Sequence, residues 1–156
     1  MKNIRSRGRV FLGFLIILVI NTSCSNQKPR DININQDICA YCKMGITDTR
    51  FASELITAKG KVYKFDSIEC LAAFYRQMNQ HKKGNAKLWV HNFLLPKQWL
   101  NAKSAIFIKS DKIRSPMSLN LLAVANDSEM TNIQRQFDGK RIKWSDLQDY
   151  VKQNMK

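Results

Sequence analysis

The stretch Phe51–Met78, FASELITAKGKVYKFDSIECLAAFYRQM, changes its hydrophobic period part-way along. Phe51 to Thr57 and Lys61 to Phe65 read as two strands around the turn Ala58-Lys59-Gly60, a hairpin signal. Asp66 then stands three residues before Glu69, the spacing of a capping box. Ile68, Leu71, Ala72, Tyr75 and Met78 follow at helical spacing, which predicts an amphipathic helix over 67–79. A hairpin followed directly by a helix indicates an α+β unit.

The same vocabulary recurs downstream. Leu88 to Phe93, Ala105 to Lys109 and Leu119 to Ala125 read as extended. Asn126 and Glu129 repeat the cap spacing and open a second helix to about Gln136. After Asp138-Gly139, Arg141 to Trp144 reads as a strand, and Ser145 opens a C-terminal helix. Gly60-Lys61-Val62-Tyr63-Lys64-Phe65 is echoed, position for position, by Gly139-Lys140-Arg141-Ile142-Lys143-Trp144. The expected fold class is therefore α+β, in two similar small halves of a few antiparallel strands with a packed helix, over 38–95 and 103–153. Halves of this size are marginal alone and should pack together.

The chain has 156 residues, 44% hydrophobic and 24% charged, which excludes a disordered polar tract. Only two histidines are present, so a site of three imidazoles is excluded and soft-metal chemistry must lean on sulfur. The net charge is +14, but no basic run is interleaved with aromatics, and no nucleic-acid-binding signature appears. We expect no nucleic-acid partner.

Lys2, Arg5, Arg7 and Arg9 precede an uncharged apolar run from Val10 to Ile20. That run is short for a membrane span, which needs about 20 residues, and suits a secretory signal over 1–23. Asn21-Thr22-Ser23-Cys24 resembles a bacterial lipobox, with Cys24 as the lipidated residue, although Asn21 stands where leucine is usual. The expected location is the periplasm, anchored by lipid to the bacterial membrane. Ser25 after the cysteine favours the outer over the inner membrane. The polar segment 24–37 reads as a flexible tether, with structure beginning near Ile38.

Three further cysteines carry the chemistry. Cys39-Ala40-Tyr41-Cys42-Lys43-Met44-Gly45 sets two thiols and a thioether within six residues. Such donors are soft and select Cu(I) over harder ions. Cys70 sits in the first helical turn, where the helix dipole should lower its pKa, and lies off the apolar stripe. Met117, in Ser115-Pro116-Met117-Ser118, lies on a loop of the second half. Candidate metal ligands are Cys39, Cys42, Met44, Cys70 and Met117, with His81 and His91 as weaker candidates. A Cys39–Cys42 disulfide, a zinc site and a thiol–disulfide protein remain alternatives on the residues alone.

These residues, in this order, resemble the NosL family, lipoprotein accessory factors of nitrous oxide reductase. The resemblance is carried by Cys39-x-x-Cys42-x-Met44-Gly45, Phe65-Asp66-x-x-x-Cys70, Trp89-Val90-x-x-Phe93, Trp99-x-x-Ala102, Pro116-Met117 and Phe137-Asp138-Gly139. It implies a membrane-anchored Cu(I) chaperone, not an enzyme, serving nitrous oxide reductase and its associated copper and ABC-transporter machinery. It implies a two-halved α+β fold distantly like organomercurial lyase. This chain departs from the family pattern in three places. Lys43 and Ser118 replace usual glycines, and uncharged Asn92 stands where an acidic residue is usual.

Overall fold

The structure, a computed structural model, describes residues 27–155; the signal and lipobox readings at 1–24 lie outside them. Two antiparallel sheets form the framework. The first, in order β2-β1-β3-β4, is built from β1 (Ser53–Ile56), β2 (Val62–Phe65), β3 (Lys87–His91) and β4 (Trp99–Asn101). The second, in order β6-β5-β7, is built from β5 (Ile106–Lys109), β6 (Leu121–Val124) and β7 (Lys140–Ile142). The helices are α1 (Ile68–Gln77), the short α2 (Gln80–Lys83), α3 (Asp127–Phe137) and α4 (Trp144–Asn154).

With α2, β4 and α4 set aside, each half runs strand, strand, helix, strand, with its first strand inside the sheet. This alignment pairs β2–α1 with β6–α3. The caps mark it: Ser67 Oγ accepts from the Cys70 N–H, and Asn126 Oδ1 accepts from the Glu129 N–H. Ser67 thus answers to Asn126, and Cys70 to Glu129, a shorter offset than the one that set Gly60 against Gly139. The Gly60/Gly139 echo joined elements that hold different places: β2 precedes α1 as β6 precedes α3, whereas β7 follows α3. Trp144, expected to end a strand, is the first residue of α4. Short elements without sequence period, α2 and β4, were not expected, and β3 stops at His91 rather than Phe93. β4 falls in the stretch expected to join the halves and pairs with β3.

The halves share their apolar interior. Leu55, Phe65 and Leu71 of the first pack in one cluster with Phe107, Leu121 and Leu147 of the second. Phe51 and Phe93 join Ile108, Leu122 and Ile133 in another. The Phe93 N–H donates to the Ala123 carbonyl (2.8 Å), tying the halves through backbone as well. Burial at ~25 cal/mol per Å² of apolar surface makes this shared interior the main force holding the halves together.

The segment 27–37, expected to be free, is laid across the first sheet. Lys64, Glu54 and Trp89 are cross-strand neighbours in one row. Trp89 Nε1–H donates to the Gln27 carbonyl (3.1 Å) and the Arg30 N–H to Glu54 Oε1 (3.1 Å). Lys64 Nζ donates to the Asp31 carbonyl and to Asp37 Oδ2, both at 2.7 Å. A polar row on a sheet face needs partners, and the backbone of this strap supplies most of them. No composition rule marks such a segment.

Candidate metal centre

The strap ends at a closed loop. Ile38 and Gly45 form an antiparallel bridge, the Cys39 N–H donates to the Met44 carbonyl (2.8 Å), and the Lys43 N–H to the Cys39 carbonyl (3.1 Å). The Ala40 N–H donates to the Lys64 carbonyl (2.8 Å), which fastens the loop to the end of β2. Closure requires a left-handed residue, and Lys43 supplies it at φ 68°.

Beyond β2 the chain passes Asp66 and enters α1. Both Asp66 and Ser67 are able to cap, and Ser67 does so. That one-residue shift from the expected cap releases the Asp66 carboxylate, which is buried. One helical turn later Cys70 lies fully buried, not off the core as its spacing implied.

Cys39, Cys42, Asp66 and Cys70 come together here, with one donor atom from each within 4.8 Å of all the others. Two sulfurs bound to one ion at about 2.3 Å are at most about 4.6 Å apart, so a small contraction closes the set on a single ion. All three cysteines are free thiols. Cys42 Sγ–H donates to Asp66 Oδ2 (3.5 Å), and Asp66 Oδ1 is buried with no hydrogen-bond partner among the described residues. An unpartnered carboxylate oxygen beside three thiols fits a set awaiting a cation.

The thiols differ in acidity. Hydrogen bonding from Cys70, which outweighs burial, brings Cys39 down to about 6. Burial pushes Cys42 up to about 11. Cys70 is raised, first by donating to Cys39 and then by burial. The dipole effect expected at Cys70 is therefore overridden, and Cys39 is the most acidic of the three.

The NosL family model matches residues 31–151. The chain belongs to the NosL family. Its fold is similar to the crystal structure of the copper chaperone NosL from Shewanella denitrificans, with a TM-score of 0.62 at 21% identity. The match covers 76% of this chain and 94% of that one. No curated protein matches the chain.

The other expected ligands lie differently in this NosL-family chain. Met44 is 48% exposed, and only its carbonyl takes part in closing the loop. Met117 is half-buried against the cluster that contains Cys39 and Cys70. Its loop is held by Glu69, whose Oε1 accepts from Ser115 Oγ–H and the Leu121 N–H. His91 is buried with Nδ1 at the Pro96 carbonyl and its ring against Trp99 (3.7 Å between centroids), and burial lowers its pKa. His81 is exposed on α2. Neither histidine belongs to the thiol group.

Asp66 was missed as a candidate because the capping-box spacing explained it. The usable signal was the place of Asp66 in Phe65-Asp66-x-x-x-Cys70, a carboxylate four residues before a thiol.

The three family departures have structural counterparts. Lys43 and Ser118 both adopt left-handed backbone, φ 68° and 61°, where glycine is strain-free. Asn92 donates to Glu129 Oε2 (2.9 Å) and Gln98 Oε1 (2.7 Å), so an acid there would face Glu129.

Proposed function

We propose that this chain is an extracytoplasmic carrier of Cu(I), lipidated at Cys24, and not an enzyme. Copper is its cargo. The observation that carries the reading is the convergence of Cys39, Cys42 and Cys70 with Asp66. Three thiolates form a soft, low-coordinate set that favours Cu(I). The family and the likeness to a copper chaperone support the same cargo. Cys42 is the partly exposed member, so it is the sulfur from which an incoming donor would take the ion.

The partners we propose are nitrous oxide reductase and its associated copper and ABC-transporter machinery, met in the periplasm by a chain whose lipid anchor sits in the outer membrane. A thiol–disulfide activity fits less well. Cys39 is the acidic thiol but is fully buried, and the accessible Cys42 is held protonated by burial. That is the reverse of an exposed, low-pKa attacking thiol.

Transfer tests the reading. The Cu(I)-loaded chain, mixed anaerobically with copper-free nitrous oxide reductase and separated again, should yield its copper to the reductase. Copper retained by the chain, or given equally to an unrelated apoprotein, would contradict it.

A further inference from the structure

A cavity of about 750 Å³ opens between the β1–β2 turn and the junction of α1 with α2. Lys59, Lys61 and Lys82 stand at its rim, and Tyr63, Phe74 and Met78 are among its apolar lining. Among the described residues, no acidic one lines it. The surrounding chain is equally one-signed: between Glu69 and Asp111 there is no acidic residue, while Arg76, Lys82, Lys83 and Lys87 fall there.

Its place in the fold gives it meaning. The strap starts beside it, since Gln27 Nε2–H donates to the Thr57 and Asn85 carbonyls (both 3.4 Å) and Thr57 lines the cavity. Cys24 lies three residues earlier in sequence. Three residues reach about 10 Å at most. From Gln27 the strap runs the length of the hairpin to Asp37, beside the thiol loop. β2 likewise leads from the cavity end at Val62 to Phe65 and Asp66, about 13 Å at ~3.3 Å per residue. Cavity and metal centre therefore occupy opposite ends of the same hairpin.

We infer that the Lys59/Lys61/Lys82 cavity docks on an anionic phospholipid surface and turns the thiol loop away from the bilayer. Ammonium groups meet headgroup phosphates, and the aromatic lining accepts the less polar part of a lipid. The inference rests on the lipid-anchor reading of Cys24, which brings this end of the molecule to the membrane. A surface lysine is worth about 5-fold in partitioning, so three amount to on the order of 100-fold.

A chain starting at Ser25 retains every strand, helix and core residue described, and is tested without its anchor. It should co-sediment with vesicles of phosphatidylcholine and phosphatidylglycerol mixed two to one, and not with phosphatidylcholine alone. K59Q/K61Q/K82Q should lose binding by on the order of 100-fold. K140Q/K143Q/K152Q, with equal charge removed elsewhere, should lose several-fold less. Alkylation of Cys42 should proceed at the same rate on and off the vesicles.

Equal loss in the two triple variants, equal binding to neutral vesicles, no binding at all, or protection of Cys42 would each overturn the inference. Intact mass of the membrane-extracted full chain reports lipidation at Cys24 separately, so the two readings fail distinguishably.

Discussion

Cys42 Sγ–H donates to Asp66 Oδ2 across 3.5 Å, joining the loop before the first sheet to the turn that opens α1. Burial beside this carboxylate holds Cys42 protonated, at about 11. At pH 8 the thiolate is then only about one part in a thousand. Alkylation of Cys42 in the metal-free protein should be slow and should rise about tenfold per pH unit from 7 to 9. Cys39 and Cys70, fully buried, should react only after unfolding. Mass-resolved alkylation checks this, and a plateau for Cys42 below pH 9 would contradict it.

Lys43 precedes Met44 and Ser118 follows Met117, and both hold left-handed backbone. A Cβ in that region costs about 1–2 kcal/mol, offset by the extra freedom glycine has when unfolded. Lys43→Gly and Ser118→Gly should each stabilise the metal-free protein by about 0.5–1 kcal/mol, read by urea denaturation. Lys43→Val should destabilise it.

Asn92 is fully buried and bridges the halves by donating to Glu129. Asn92→Asp removes two donated hydrogen bonds and sets a second carboxylate against Glu129. The expected cost is about 2–4 kcal/mol. Glu129→Gln in the Asn92→Asp background should recover part of it, and a double-mutant cycle measures the coupling.

Glu54 lies under the strap with no exposed surface, and burial raises its pKa from 4.5 to about 7. The fold thus favours the protonated carboxyl. Its stabilising contribution is complete below about pH 4.5 and is lost as pH rises through 7. Glu54→Gln does not titrate. The melting temperature of wild type relative to this variant should fall between pH 4.5 and 8, then level off. A difference independent of pH would refute the assignment.

The strands and principal helices were legible because their apolar residues keep a period of two or of 3.6 against polar neighbours. The second cap was read correctly at Asn126, with Asp127 and Ser128 beside it equally able to cap, because there the residue three before the glutamate is also the one that packing selects. The first was not, because Asp66 and Ser67 satisfy the same rule and only packing decides between them. The strap left no trace in composition, since its bonds are made largely by backbone to Trp89, Glu54 and Lys64. Cys39, Cys42 and Cys70 were singled out as soft donors, but their acidities depend on which thiol donates to which. That order exists only once Cys39 and Cys70 meet in the interior.

The central claim is that Cys39, Cys42 and Cys70 act together on one soft ion. Anaerobic titration against a chromogenic Cu(I) chelator tests it most directly. The reduced chain should withdraw one Cu(I) per molecule, and serine at any one of the three positions should weaken binding by roughly 100-fold or more, beyond the 10–100-fold typical of outer-shell changes. Unchanged affinity in the Cys39→Ser/Cys42→Ser double variant would contradict the account.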